Sequence, residues 1–486
     1  MFADQRKDKL RKIEEAGINP YPARVTPGRE IKQVLDEFES RKESSVEIAG
    51  RIMSVRKHGK SCFMDINDGT AKIQLYFKYN ILGKENYEHL DWLDIGDIIG
   101  VSGEPFVTRK GERSLNVSSY QLLSKSLLPL PEKWHGLKDP DLRYRKRYLD
   151  LIANPESKRK LRQRSQIMQL IRAFLDNQGF QEFETPILQN LYGGAFAKPF
   201  TTYMDALDKQ LYLRIATELY LKRLLIGGFP KVYELGKDFR NEGLDRMHNP
   251  EFTALEIYQA YSDYYQMMKL TEELLIHLVK EIKGEPRLKY QENEIELKAP
   301  FERVQFAQKF KEATGIDLRT TGSGTSTGSG TPASEDELYS FCQQHSIKIT
   351  RKSLPKMVEK IFDEMVVSEL INPTFVMDYP VYMSPLAKKK DDLLVERFEF
   401  YMFGMEVANA FTELNDPREQ KARFEYQMKL KAEGEEEVQE MDTDFLEALA
   451  YGMPPAGGIG FGVDRLIMIL TDAYSIREII PFPTLK

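Results

Sequence analysis

Cysteine, tryptophan and histidine are scarce in this chain, with two, two and six among 486 residues. Cys62 and Cys342 are too few for a disulfide scaffold, and neither sits in a CxxC pair. The histidines form no HExxH or comparable zinc spacing. A GxxxxGK[ST] loop is absent, which excludes the P-loop way of holding nucleotides. No apolar run approaches the roughly 20 residues of a membrane-spanning helix, so no membrane association is expected. The opening MFADQRKDKLRK has no signal-peptide core, and two unpaired thiols suit a reducing cytoplasm. Net positive charge is lacking too: the total is −6. Its distribution is uneven. Residues 1–150 carry 27 Lys/Arg against 23 Asp/Glu, and the remainder 42 against 52. A polyanion such as RNA is therefore expected on the N-terminal third. An excess of four cations is also found on domains with no such partner.

The apolar fraction of 41% and charged fraction of 30% are those of a globular protein, and the length allows two or three domains. Residues 1–45 carry two charged amphipathic helical stretches, suited to solvated helices or to RNA contact. Residues 46–125 change character. VEIAGRIMSVR, KSCFMDIND, AKIQLYFK, DIIGVSGEPF and SLNVSSYQLL read as five short strands with Gly/Asp/Asn turns. Five strands in about 80 residues suggest an OB-type barrel, an architecture that binds oligonucleotides. Residues 126–156, rich in Pro and charge, read as a linker whose cluster Arg143–Arg147 faces either RNA or solvent. A second domain spans 157–486. It opens with a long helix ended by Gly179 and a strand running towards Pro186. The stretch 320–331, TTGSGTSTGSGT, is low in complexity and reads as flexible, inside an insertion around 317–371.

The chemistry concentrates in Phe239–Tyr258, FRNEGLDRMHNPEFTALEIY. Two strand-like runs, KVYELGKDF and EFTALEIYQAY, flank a polar loop. Alternation puts Phe252, Glu256 and Tyr258 on one face, and Arg240 and Glu242 on one face near the loop. A second centre is ERFEFYMFGMEVANAFTEL, two strands about Gly404. There Asn409, Phe411 and Glu413 share a face, and a hairpin brings Glu399 near Glu406. A third is GGIGFGVDRLIMIL, a Gly-rich strand leading into an apolar helix. Taken singly, each has a plainer reading: an exposed charged hairpin, an exposed Glu pair, an ordinary Gly-rich strand.

In this order the segments resemble the class II aminoacyl-tRNA synthetases, and FRNEG followed by HNPEFT resembles motif 2 of the bacterial-type lysine enzymes. The helix and strand ending near Pro186 are similar to motif 1, and the run through Asp464-Arg465 to motif 3. The resemblance implies an α+β fold, with a five-stranded OB barrel that reads the anticodon and a catalytic antiparallel sheet flanked by helices. It implies a homodimer that joins L-lysine to ATP, releases pyrophosphate, and passes lysine to the 3′ end of tRNA(Lys). Arg240 is then the catalytic arginine on the α-phosphate and the lysine carboxylate, a role its two-pronged fixed charge suits. Glu242 approaches the adenine amino group, and Phe252 and Arg465 sandwich the ring. Asn249 completes the ATP site, and the outer phosphates fall to Arg246 or His248. Gly194, Glu218, Glu256, Tyr258, Asn409, Phe411 and Glu413 form the lysine pocket, with Glu218 on the α-ammonium. Glu399 and Glu406 hold Mg2+ on ATP. In the barrel, Phe63, Gln74 and Glu112 meet the anticodon. An aspartate or asparagine enzyme shares this architecture, but the acidic Glu218, Glu256 and Glu413 favour an ammonium side chain. A protein-modifying lysine ligase would usually lack the OB barrel. A catalytically silent RNA-binding homologue is opposed by the intact Arg240, Glu399, Glu406 and Arg465.

Overall fold

The computed structural model describes residues 4–25, 28–41, 44–131, 137, 139–318, 334–349, 353–432 and 440–485. The Ser/Thr/Gly-rich stretch 320–331 lies outside them. The chain forms two compact units, Met1–Lys138 and Asp139–Lys486.

In the first unit, strands β1 (Val46–His58), β2 (Ser61–Asn67), β3 (Lys72–Lys78), β4 (Ile98–Val107) and β5 (Arg113–Ser124) close a barrel in the order β1-β2-β3-β5-β4. Period-two patterning drives the closure. In β3, Ile73, Leu75 and Phe77 are buried, while Gln74 and Tyr76 alternate onto the outer surface. A register shift between Ile52 and Ser54 lets the long β1 pair β4 with its first half and β2 with its second. Gly103 sits at a second shift, where a Cβ would come within 2.7 Å of the Asn116 carbonyl oxygen. A buried ion pair secures the base of the barrel. Lys125 Nζ, with no exposed side-chain surface, donates to Asp97 Oδ2 at 2.8 Å, to Asp94 Oδ2 at 2.6 Å and to the Trp92 carbonyl.

The second unit adds β6 (Gln181–Glu182), β7 (Leu188–Gln189), β8 (Thr201–Met204), β9 (Lys209–Leu213), β10 (Lys231–Phe239), β11 (Glu251–Ala260), β12 (Arg287–Tyr290), β13 (Asn293–Glu296), β14 (Glu302–Gln305), β15 (Thr374–Met377), β16 (Arg397–Met402), β17 (Met405–Thr412) and β18 (Ala456–Gly462). Eight of them form one sheet in the order β14-β15-β16-β17-β18-β11-β10-β6. Its interior pairs are antiparallel, as the sequence suggested, and the two outermost, β14-β15 and β10-β6, are parallel. Helices Pro155–Asn177, Tyr264–Lys283 and Val463–Thr471 cover one face. The first contributes Ile167, Ile171 and Leu175, four residues apart and therefore on one stripe. It ends before Gly179, whose φ of +81° only glycine adopts without strain. The sheet alternates accordingly. Ala408 and Ala410 of β17 belong to the helix-covered core, which leaves Asn409 and Phe411 on the opposite face.

Three sequence expectations are corrected. β10 ends at Phe239 and β11 begins at Glu251, so Arg240 and Glu242 stand on the connecting loop beyond the strand face. The strand expected before Pro186 shrinks to the two residues of β6. The basic cluster of the linker is divided: Arg145 and Lys146 are exposed, but Arg143 and Arg147 turn inward. Arg147 is buried and donates to the carbonyls of Arg477, Ile480 and Pro481, and Arg143 pairs with Asp150. Those carbonyls close the last helical turn, where backbone acceptors lack partners of their own. A run of cations in sequence cannot show which of them finds such acceptors.

Replacing Lys125 with Met strands Asp97 without its cation inside the barrel. Breaking a buried pair this way costs about 3–5 kcal/mol. Hydrogen exchange in β1–β5 is expected to rise accordingly, and a change under about 1 kcal/mol would show that the pair contributes little.

Candidate active site

A cavity of about 350 Å3 opens on the uncovered face of the large sheet. β10 and β11 supply one wall, β16, β17 and β18 the other, and the helix Glu218–Ile226 lies across one end. Its chemistry divides into an acidic end and a basic end.

The acidic end gathers Glu218, Glu256 and Glu413, with 4%, 9% and no exposed surface. Glu218 opens its helix, where the backbone dipole favours a carboxylate. Glu256 accepts from the Tyr258 hydroxyl at 2.8 Å and from the Thr217 amide at 3.2 Å. Burial first, then the charges of Asp238 and Glu218, push its carboxyl up to about 8. Glu413 follows β17 and lies behind the wall formed by Tyr258 and Phe411 rather than on the cavity surface. Gly458 of β18 makes room for it, since a Cβ there would collide with Glu413 Oε1 and with the Tyr258 ring. Asn409, Phe411 and Gly194 line the same end.

The basic end holds Arg240, His248 and Arg465. The Arg240 guanidinium stands 5.1 Å from the Phe252 ring centroid. Arg465 donates to the Glu406 carbonyl at 2.9 Å and lies 3.2 Å from its carboxylate, while a second nitrogen sits 3.1 Å from His248 Nε2. His248 Nδ1 in turn meets Asp245 at 2.8 Å. Glu242 and Asn249 also line the cavity, and Asn249 is fixed through Glu251 and Thr484. Arg246 is not a lining residue. Its guanidinium stacks 4.4 Å over Tyr474, and its carbonyl accepts from the Ile476 amide. Between the two expected outer-phosphate residues, His248 is thus the one that faces the cavity.

Glu399 and Glu406 both reach the cavity between these ends. Tyr401 pairs with Glu406 across β16-β17, which puts Glu399 one diagonal step away. Glu399 accepts from Tyr379 at 2.7 Å, from Tyr401, and from Arg397 at 2.5 Å. The Glu406 carboxyl is raised, by desolvation first and by Glu399 next, against the pull of Arg465 and Arg397. Among the described residues no cluster of three or more His, Cys, Asp or Glu is arranged to enclose a metal.

Two residues of this site were not singled out in the sequence. Lys222 lies buried between Glu218 and Glu413. Its Glu-x-x-x-Lys spacing was visible, but that spacing is also the commonest surface ion pair on helices. Arg397 contacts Asn409 at 3.0 Å and Glu399 at 2.5 Å. Its position two residues before Glu399, hence on the same strand face, was the available signal.

The barrel is a separate unit with its own candidate face. Arg56, Phe63 and Tyr76 stand opposite one another on β1, β2 and β3. The Phe63 and Tyr76 rings stack at 4.5 Å and 9°, and Phe106 continues the group at 5.8 Å from Tyr76. One step along, Gln74 accepts from Ser114 at 3.0 Å. Glu112 is exposed in the β4–β5 turn. Tyr76 and Phe106 enlarge the aromatic surface expected from Phe63 alone.

An antiparallel sheet with this cleft and a five-stranded barrel define the class of protein. Residues 139–486 match the family model of class II tRNA synthetases (D, K and N), and residues 46–123 that of the OB-fold nucleic acid binding domain. The chain belongs to the class II tRNA synthetases. Within that class it belongs to the family of the lysine–tRNA ligases. The chain is 50% identical to the lysine–tRNA ligase of Thermoanaerobacter pseudethanolicus, covering 99% of this chain and 95% of the relative. The corresponding enzyme of Carboxydothermus hydrogenoformans is 49% identical, covering 99% and 97%, and that of Thermosipho africanus 45%, covering 100% and 96%.

Glu256 carries a pH prediction. Its folded-state carboxyl is raised, so its contribution to stability is greatest below about pH 4.5 and is lost as the pH rises through about 8. Glu256→Gln removes that loss. The variant is expected to gain thermal stability relative to wild type between pH 5 and 8. Parallel melting curves across this range would remove the buried-carboxyl account.

Proposed function

We propose that this chain is a lysine–tRNA ligase that activates L-lysine with ATP and transfers it to the 3′ end of tRNA(Lys). The observation that carries the reading is the two-ended cavity. The buried carboxylates Glu218 and Glu256 on the wall of one end, with Glu413 behind it, suit an amino acid with a second ammonium, and Arg240, His248 and Arg465 at the other suit a polyphosphate.

Lysine lies with its α-ammonium towards Glu218 and its stem along Phe411 and Tyr258. Its side-chain ammonium is directed to Glu256 and Glu413. The carboxylate and the ATP α-phosphate meet at Arg240, whose fixed charge steadies the phosphorus as negative charge builds during in-line attack. Phe252 and Arg465 take the adenine between a ring and a guanidinium, and Glu242 and Asn249 bound it. Pyrophosphate leaves towards His248. No side-chain nucleophile is needed, because alignment and charge compensation carry the step.

Glu399 and Glu406 fit a hard divalent cation. They are two adjacent carboxylates facing the phosphate end, and the charge of one raises the other, a repulsion that a cation relieves. Glu399 and Glu406 would hold Mg2+ there, and the ion would draw charge from the ATP phosphates. A homodimer is part of the same reading. Leu188, Tyr203 and Leu207, in and beside the small sheet β7-β9-β8, are 51%, 56% and 65% exposed, apolar surface that a second copy would cover. The cytoplasm is the proposed setting, where the product is consumed in translation and both buried cysteines stay reduced.

Amino-acid-dependent ATP–pyrophosphate exchange, with each amino acid in turn, tests the function. Lysine is expected to support it far above the others, and equal support by aspartate or asparagine would overturn the reading. The barrel is tested separately. Phe63→Ala is expected to lower tRNA charging by roughly 5- to 150-fold, the loss of about 1–3 kcal/mol for one stacked base, with lysine-dependent exchange near wild type. Equal losses in both assays would remove Phe63 from RNA binding.

A further inference from the structure

Lys222 occupies an unusual place for a lysine. It has no exposed surface, and it lies one helical turn after Glu218. Its Nζ is 2.5 Å from Glu218 Oε1 and forms a second ion pair with Glu413, which also has no exposed surface. The Tyr258 and Phe411 rings stand 6.0 Å from the same nitrogen. The protein's own ammonium is thus ringed by four groups assigned above to the substrate. Glu413 Oε1, buried as well, has no hydrogen-bond partner among the described residues. One carboxylate therefore serves Lys222 through one oxygen and keeps the other unengaged.

We propose that Lys222 is the resident counter-ion of the amino-acid pocket, a positioning residue that favours the ionised forms of Glu218 and Glu413 and fixes how many further cations the pocket accepts. The inference rests on the lysine reading of this site. Its logic is a charge count. When all three are ionised, Glu218, Glu256 and Glu413 contribute three negative charges and Lys222 one positive charge. Two remain to be matched, and a diamino acid brings two ammonium groups. A neutral amino acid brings one and leaves a buried carboxylate without a partner, a costly outcome in a site closed to water.

The surrounding charges leave this count intact. From β16, Arg397 faces Glu218 but is paired with Glu399 at 2.5 Å. From β10, Asp238 faces Glu256 and is offset by Arg214 and Arg240. Arg223, next to Lys222 in sequence, is taken by Asp442 and Asp444. On Lys222 itself, burial disfavours the charge, but Glu218 and Glu413 more than restore it. Both carboxyls are raised by burial, Glu413 to about 8, and Lys222 is the leading group that opposes that push.

The experiment follows the pH dependence of lysine-dependent pyrophosphate exchange from about pH 6 to 9 for wild type, Lys222→Met and Lys222→Arg. Without the resident charge, Glu218 and Glu413 hold protons to higher pH. The acid limb of kcat/KM for lysine is expected to move up by about one unit or more in Lys222→Met, a loss of about tenfold below the limb that shrinks as pH rises. Lys222→Arg keeps the wild-type limb whatever its rate. A folded Lys222→Met enzyme with an unmoved limb overturns the proposal, since a packing role alone lowers activity equally at every pH. If the wild-type enzyme answers to an amino acid other than lysine, the functional reading itself fails. If it answers to lysine while the limb stays put, only the role of Lys222 fails.

Discussion

The ion pairs of Lys222 with Glu218 and Glu413 are closed off from water, and the rest of the catalytic unit is arranged around that constraint. Carboxylates buried together repel one another and hold protons unless cations meet them. One cation is built in, and the remaining charge is left for a ligand. The other end of the cavity has the opposite character, with Arg240 and Arg465 facing the space where phosphates bind. A cavity polarised in this way orients a dicationic amino acid and a polyanionic nucleotide head to tail. On the proposed reading their reacting groups meet at Arg240, which lines the cavity beside Phe252.

That polarity requires a stiff support, which the eight-stranded sheet provides. Its helix-covered face is apolar and close-packed, with Leu255, Ile257, Ala410 and Phe461 in a single core. The same strands expose their alternate residues to the cavity, so each functional side chain is fixed by a core neighbour one position away in sequence. β18 contributes mainly space. Its Gly458 lets Tyr258 and Glu413 approach the backbone more closely than any side chain would permit. Strand positions hold geometry better than loops, and most of the pocket carboxylates and aromatics are on strands or directly at their ends.

Much of this was legible in the sequence. Period-two patterning gave the five barrel strands and the arms of both hairpins, because alternation records which face is buried. The order of the three motif-like segments gave the catalytic fold. What was less legible depended on partners distant in sequence. Arg147 looked like a surface cation among others, yet it meets carbonyls more than 300 residues away. Arg246 and His248 were equivalent on the loop until Tyr474 claimed the first. Lys222 was not singled out, because its spacing from Glu218 is that of a common surface helical pair and nothing local says that Glu413 meets it from beyond β17. Local patterning fixes which face a residue takes. Which charges meet there is decided by the assembled sheet.

The basic end shows how the same economy of charge extends to the nucleotide. Arg465 is held by Glu406 and touches His248, and Arg240 lies against Phe252, the ring assigned to adenine. These cations therefore exchange protein partners for phosphate and base on binding, which costs less than drawing them from full hydration. Arg397 ties the two ends together, with one nitrogen on Asn409 in the amino-acid pocket and another on Glu399 beside the phosphates.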